Sequence, residues 1–152
     1  MNAPRVTNPL DVLQGNFLAA IMGVVAHRPS ILHQSGFRNR YARDAYAREF
    51  CTVRLSLPRR MGNSNLAARL LTWSDDTLLV VNTRNTAEST LQYMPREQRL
   101  GQERILTIHQ GPRAFRGRTT SLLVADLPAT SYTLANLDTI YMAHAEFYVL
   151  LG

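Results

Sequence analysis

The chain has 152 residues, a formal net charge of +6, 45% hydrophobic residues and 18% charged residues. That composition excludes intrinsic disorder, and the length is typical of one domain around one core, so we expect a single domain over residues 1–152. The first apolar run, residues 17–25, is far shorter than the roughly 20 residues that cross a bilayer, so we expect a soluble protein with no membrane partner. A single cysteine, Cys51, excludes an intramolecular disulfide and a multi-cysteine metal site.

All 17 basic residues are arginine, because the sequence contains no lysine. This excludes a Schiff-base lysine, a lysine general base and the lysine of a phosphate-binding loop (P-loop). Two explanations stay open: a codon bias towards arginine, or a use for the planar guanidinium group, which binds phosphate and carboxylate through two hydrogen bonds.

The clearest predicted element is a helix over residues 9–26, preceded by an extended arm over residues 1–8. Pro9 suits a first helical position, and Leu10, Phe17 and Ile21 recur at helical spacing. Gly15, Ala19 and Gly23 lie four residues apart on this helix, so they share a face that another backbone can approach closely. That face packs either on the protein's own sheet or on another subunit.

The rest of the chain, residues 50–152, is predicted to be mostly strands after a short helix over 38–48. The predicted strands are residues 52–57, 77–83, 104–109, 119–125 and 139–151, with 91–94 as a continuation of the second. Residues 66–73 fit either a helix or an extended segment. The sequence therefore predicts an α+β fold in which the N-terminal helix packs on a mainly antiparallel sheet of about five or six strands.

Positive charge is concentrated in two segments. Residues 37–60 hold seven arginines against two carboxylates, and a second cluster surrounds Phe115. Arginines neutralise phosphates and neighbouring aromatic rings, here Phe37, Tyr41 and Tyr46, can stack on unpaired bases; solvated ion pairs or an acidic protein partner would explain the same residues. The residues predicted to contact nucleic acid or an acidic partner are Arg38, Arg40, Arg43, Arg59, Arg60, Arg113, Arg116 and Arg118.

Motifs for catalysis are not found in the sequence. The four histidines show no zinc-type spacing, no serine lies in a G-x-S-x-G turn, and neither G-x-G-x-x-G nor a P-loop occurs. His144 and Glu146 would share one face of the final strand, where a polar pair with no catalytic role is the common case. An enzyme would need a pocket lined by His109, His144 or Glu146. We therefore predict no catalytic residues, no metal site and no cofactor.

These observations favour a non-enzymatic structural or assembly protein, such as a small capsid, decoration or tail component of a virus or phage. In this hypothesis the arm and the face formed by Gly15, Ala19 and Gly23 contact other copies of the chain or other particle subunits, in a virion or in the cytoplasm. The alternative is an arginine-rich module that binds nucleic acid through the two basic clusters.

Overall fold

The computed structural model describes residues 12, 15–24, 43–55, 63–73, 75–98 and 104–152. Five strands form one sheet in the order β1-β5-β4-β2-β3, and every neighbouring pair is parallel. The strands are β1 (Thr52–Leu55), β2 (Thr77–Val81), β3 (Ile105–Thr107), β4 (Thr119–Asp126) and β5 (His144–Leu151).

Helices connect the strands. They are α1 (residues 15–24), α2 (Arg43–Phe50), α3 (Asn63–Trp73), α4 (Arg84–Leu91), α5 (Pro112–Phe115) and α6 (Leu134–Tyr141). Crossovers between neighbouring parallel strands must return the chain to the starting edge of the sheet, and helices do this here. The fold class is therefore α/β, with helices on both faces of a parallel sheet.

The prediction of a mainly antiparallel α+β sheet is wrong. The strand positions were close, but residues 50–152 are not mostly strands, since α3 to α6 lie among them. The predicted final strand over 139–151 divides into the end of α6 and strand β5. The last five residues of β5 and all of β2 are buried, which is the pattern of parallel strands covered on both faces.

Two hydrophobic clusters cover the two faces of the sheet. Leu79, Val124 and Val149 pack with α3 on one face, here called the α3 face. The alternate residues of the same strands, among them Val80 and Leu150, pack with α6 on the opposite face. Because side chains alternate along a strand, this division fixes the direction of every strand residue, including polar ones.

Helix α1 contributes Ile21 to the core of the α3 face, and Phe17 packs against that cluster. Its small residues do not pack within the described part of the chain: Ala19 is exposed, and a Cβ atom placed on Gly15 or Gly23 would meet nothing within 4 Å. Both alternatives for this face, packing on the protein's own sheet or on another subunit, therefore stay open. The subunit contact stays a prediction.

The fully buried Tyr148 joins β5 to two helices. Its hydroxyl donates to the carbonyl of Ala143 and accepts from the backbone N–H of Ala145 at 3.1 Å. The guanidinium of Arg43 donates to the same hydroxyl at 3.4 Å and to the Ala143 carbonyl at 3.3 Å, so α2 is tied to the end of α6.

We expect Tyr148→Phe to lower the free energy of unfolding by about 1–3 kcal/mol, because the buried partners of the hydroxyl lose a hydrogen bond. Urea denaturation followed by circular dichroism measures this change. Tyr93→Phe is the matched control, since Tyr93 is 59% exposed and should change stability little. Equal effects of the two substitutions would contradict the role assigned to Tyr148.

Candidate functional site at the carboxyl edge of the sheet

The carboxyl ends of the parallel strands meet at one edge of the sheet. Strand pairing places one residue of each strand in a single row across this edge: Leu55, Leu151, Asp126, Val81 and Thr107, in spatial order. Adjacent β4 and β2 are followed by helices on opposite faces, α6 and α4, so the direction of the connections changes between these two strands. Open parallel sheets bind their ligands at such a point, and the one charged side chain in this row is Asp126.

Asp126 ends an apolar strand and is only 8% exposed. It alternates with Leu122 and Val124, which belong to the core of the α3 face, so its carboxylate lies on that face. Oxygen Oδ2 is buried and has no hydrogen-bond partner among the described residues. Burial raises the pKa of Asp126 from 3.8 to about 6, since the charged form loses hydration that no neighbour replaces.

Helix α3 begins on the same face and at the same edge. It starts at Asn63 and Ser64, after the connection that follows Leu55 at the end of β1. The apolar side of α3 packs against the sheet and holds the helix there. Its almost fully buried residues include Leu66, Ala67, Leu70 and Leu71. Its first backbone N–H groups lack partners within the helix and carry partial positive charge.

Asn63 adds a second buried acceptor to this edge. Its Oδ1 atom is inaccessible to solvent and, within the part of the chain that the structure describes, accepts no hydrogen bond. Asn63, Ser64 and Asp126 together are called the carboxyl-edge site below. One strand, β5, lies between Leu55 and Asp126 in this row, so their Cα atoms are two strand spacings, or about 10 Å, apart.

The position of α3 draws attention to a partial likeness to the P-loop that the sequence reasoning missed. The segment from Leu57 to Ser64 reads LPRRMGNS, and it lies between a strand and a helix as a P-loop does. Compared with G-x-x-x-x-G-K-[S/T], Gly62 and Ser64 match, whereas Leu57 and Asn63 replace the first glycine and the lysine. The complete motif is absent because both the first glycine and the lysine are replaced.

The opposite face of the same edge is closed by Tyr132. Its hydroxyl donates to the carbonyls of Ala125, at 3.0 Å, and Leu151, so it joins β4 to β5 beside Asp126. The guanidinium carbon of Arg54 lies 5.0 Å from the centre of the Tyr132 ring. Burial raises the pKa of Tyr132, so this phenol stays protonated and acts as a structural donor.

The beginning of α4 lies at the same edge of the sheet, just after the end of β2. Thr83 caps this helix by accepting from the backbone N–H of Thr86 at 3.3 Å. Just before it, Asn82 and His109 share a hydrogen bond of 3.2 Å between Oδ1 and Nε2. This exposed pair links the ends of β2 and β3.

Of the eight arginines predicted to contact nucleic acid or an acidic partner, the structure describes four. Arg38, Arg40, Arg59 and Arg60 fall outside the described residues. Arg43 binds the carbonyls of Tyr141 and Ala143 at the end of α6, near the amino edge of the sheet, and is engaged in the fold. Arg113 and Arg116 are exposed, and Arg118 is half-buried.

The described aromatic residues of the two basic clusters pack within the protein. Phe115 is fully buried, and Tyr46 packs on Phe50 with ring centres 5.5 Å apart. Phe37 and Tyr41 lie outside the described residues.

The structure does not bring together His109, His144 and Glu146, any of which would line the pocket of an enzyme. His109 follows β3 at the carboxyl edge, whereas His144 begins β5 at the amino edge with Glu146 two residues later. The described residues contain no group of three or more histidine, cysteine, aspartate or glutamate residues that could hold a metal ion. Among them there is also no helix with the length and apolar character needed to cross a membrane.

The fold and this edge define a parallel α/β protein with a buried carboxylate at the carboxyl ends of its strands. No protein-family model matches the chain, and no curated protein matches it either. A solved structure, SulA from Pseudomonas aeruginosa, is similar at 23% identity and a TM-score of 0.37, over 66% of this chain and 98% of that one. A likeness at this level carries no argument about function.

We expect Asp126→Asn to stabilise the protein at neutral pH. The folded-state pKa of about 6 lies above the unfolded value of 3.8, so the unfolded chain loses this proton first as the pH rises. Stability therefore falls between about pH 4 and pH 6, and at pH 7.5 the carboxylate costs up to about 3 kcal/mol, which the amide avoids.

Urea denaturation of both proteins at pH 4 and at pH 7.5 measures this difference. The gain should be present at pH 7.5 and nearly absent at pH 4. Asp75→Asn is the control, because Asp75 is exposed. A gain of the same size at both pH values would show that burial of the charge is not its cause.

Proposed function

We propose that the protein binds a magnesium-complexed polyphosphate of the nucleoside triphosphate class at the carboxyl-edge site. The observation that carries this proposal is Asp126, a buried carboxylate without a partner, on the face and edge where α3 begins at Asn63-Ser64. In P-loop proteins, a serine or threonine in this position and an aspartate at the end of a nearby strand hold Mg²⁺.

Two opposite electrostatic requirements meet at this edge. The N-terminus of α3 favours an anion. The buried oxygens of Asp126 and Asn63 instead require a cation or a hydrogen-bond donor. A phosphate with bound Mg²⁺ satisfies both requirements, whereas a bare anion or a bare cation satisfies only one.

The small number of protein ligands agrees with Mg²⁺. This ion keeps several waters and is usually held by one or two carboxylates together with phosphates of the ligand, not by a cage of side chains. Asp126 supplies one carboxylate, and the hydroxyl of Ser64 is a second candidate ligand.

Asn63 favours binding over hydrolysis. The lysine of a complete P-loop reaches the β- and γ-phosphates and neutralises their charge, and Asn63 replaces that cation with a neutral amide. A site without this charge stabilises the transition state of phosphoryl transfer poorly, since such catalysis is largely positioning and charge neutralisation. This agrees with the expectation of a non-enzymatic protein, while a role in a virion stays a prediction.

Mg²⁺-dependent binding of a fluorescent ATP analogue tests the proposal. We expect Ser64→Ala and Asp126→Asn each to weaken binding about tenfold in the presence of Mg²⁺, which corresponds to ~1.4 kcal/mol. In EDTA, both variants should bind the analogue with nearly the same affinity as the natural protein, because each substituted group contacts the ligand through Mg²⁺. Ser89→Ala and Asp75→Asn change the same residue types at exposed positions and should bind normally. Absence of nucleotide binding by the natural chain would refute the proposal.

Asn63→Lys should strengthen this binding. A new ammonium group at this position adds a charge-assisted hydrogen bond to phosphate of ~1.5–3 kcal/mol, or roughly 10- to 100-fold in affinity. Titration calorimetry with Mg-ATP measures the affinity, and phosphate release measures any hydrolysis that appears. Asn65→Lys adds the same charge two residues further along α3 and should have a much smaller effect. If both lysines act equally, the gain comes from overall charge and not from a phosphate site.

A further inference from the structure

We infer that Arg84, the first residue of α4, binds the terminal phosphate of a nucleoside triphosphate at the carboxyl-edge site, so that the site prefers triphosphates to diphosphates. The inference rests on the proposed function, because it assigns one further contact to the same ligand. It is carried by the position of α4, which begins beside Asp126 and on the same face of the sheet.

Strand register places the start of α4 next to Asp126. Val81, the last residue of β2, pairs with Asp126, and the Cα atoms of neighbouring strands lie about 4.8 Å apart. Only Asn82 and Thr83 separate Val81 from Arg84. So short a connection keeps Arg84 at the carboxyl edge, beside the strand that carries the buried carboxylate.

The side of α4 that carries Arg84 faces the sheet. Ala87 is buried in the core cluster of the α3 face, and Leu91 packs against that cluster. Arg84 precedes these two residues by three and seven positions, so it lies on the same side of the helix. Helical side chains also point towards the N-terminus of their helix, which for α4 is the carboxyl edge of the sheet. Arg84 therefore extends the sheet-facing stripe of α4 beyond the strand ends.

Two helices begin side by side at this edge. Helix α3 contacts β4 and β2, while α4 contacts β2 and α3. The axes of packed helices lie about 8–10 Å apart, and each N-terminus carries partial positive charge. A phosphate chain that starts at Ser64 and shares Mg²⁺ with Asp126 thus extends from α3 towards α4. Its far end is the part that the long side chain of Arg84 can reach.

The charge of Arg84 is available to a ligand. Arg84 is exposed, and no hydrogen bond or ion pair joins its guanidinium to the residues that the structure describes. Other arginines are engaged in the fold, since Arg43 binds carbonyls at the end of α6 and Arg48 forms an ion pair with Asp138. The pKa of Asp126 is raised by burial, with no arginine that lowers it, so Arg84 does not serve as its partner.

The local charge balance favours a phosphate only once Mg²⁺ is bound. Among the described residues, the carboxylates nearest to Arg84 are those of Asp126 and Glu88. Glu88 lies one turn further along α4, about 6 Å from Arg84 along the helix axis and away from the edge. Mg²⁺ and Arg84 together carry three positive charges against the two negative charges of these carboxylates. A terminal phosphate at the edge therefore meets a net positive charge.

This contact separates triphosphates from diphosphates. A guanidinium binds phosphate through two charge-assisted hydrogen bonds, each set worth roughly 10- to 100-fold in affinity. The neutral amide of Asn63 adds no positive charge to the terminal phosphate from the side of α3, so that phosphate depends on Arg84 and on Mg²⁺. A diphosphate lacks the terminal group and keeps only the contacts at α3 and Asp126.

Titration calorimetry with Mg-ATP and with Mg-ADP tests the inference. The natural chain should bind Mg-ATP at least about tenfold more tightly, and Arg84→Ala should lose most of this preference by weakening Mg-ATP binding alone. Arg84→Lys should restore part of it, because the charge returns without the planar pair of hydrogen bonds. Arg96→Ala is the matched control, since Arg96 is an exposed arginine beyond the other end of α4.

Failure of this inference differs from failure of the proposed function. If neither nucleotide binds in a Mg²⁺-dependent way, the proposed function is refuted, and the inference with it. If binding depends on Ser64 and Asp126 as expected, the inference alone is overturned by any of three results for Arg84→Ala: unchanged affinity for Mg-ATP, equal losses for Mg-ATP and Mg-ADP, or a loss that Arg96→Ala reproduces. Circular dichroism of Arg84→Ala checks that the exposed substitution leaves the fold unchanged.

Discussion

Parallel pairing of β4 with both β2 and β5 is the constraint on which the rest of this structure depends. Two parallel neighbours oblige the chain to cross over a face of the sheet before each new strand, and both faces are then covered by helices. All strands consequently end at one edge, and all helices that follow a strand begin there. The polar residues that interrupt the apolar runs are therefore divided between two edges of opposite character, whatever their distance in sequence.

That division gives the two edges different chemistry. At the carboxyl edge, α3 begins on the same face of the sheet as the buried Asp126 carboxylate, and the ligand that we propose there is a complex of cation and phosphate. At the amino edge, strands begin and helices end, and there arginines serve the C-termini: Arg43 binds the last carbonyls of α6.

The sequence was sufficient to locate most strands, since apolar runs such as Leu78–Val81 and Leu122–Ala125 are unmistakable. It did not reveal their direction, because a short apolar run fits either type of sheet until the intervening helices are recognised. Those helices were hard to recognise for physical reasons: α4 has only Ala87 and Thr90 buried, so its hydrophobic periodicity is faint. Without α4 and α6, consecutive strands looked like hairpins. Asp126 was overlooked for a related reason, since an aspartate after a strand in a hairpin reads as an ordinary turn.

Asp126 would be an unfavourable choice for a purely structural position. An amide or an apolar side chain of similar size would avoid the cost of a buried charge, and no partner among the described residues offsets that cost. A second unpaired acceptor, on Asn63, lies on the same face at the start of α3. One such group could be an isolated local defect. Two at the same edge of one sheet share an explanation, namely a ligand that interacts with both and offsets the free-energy cost of burying them. A ligand that brings its own cation would offset the largest of these costs, because the cation replaces the lost hydration of the Asp126 carboxylate.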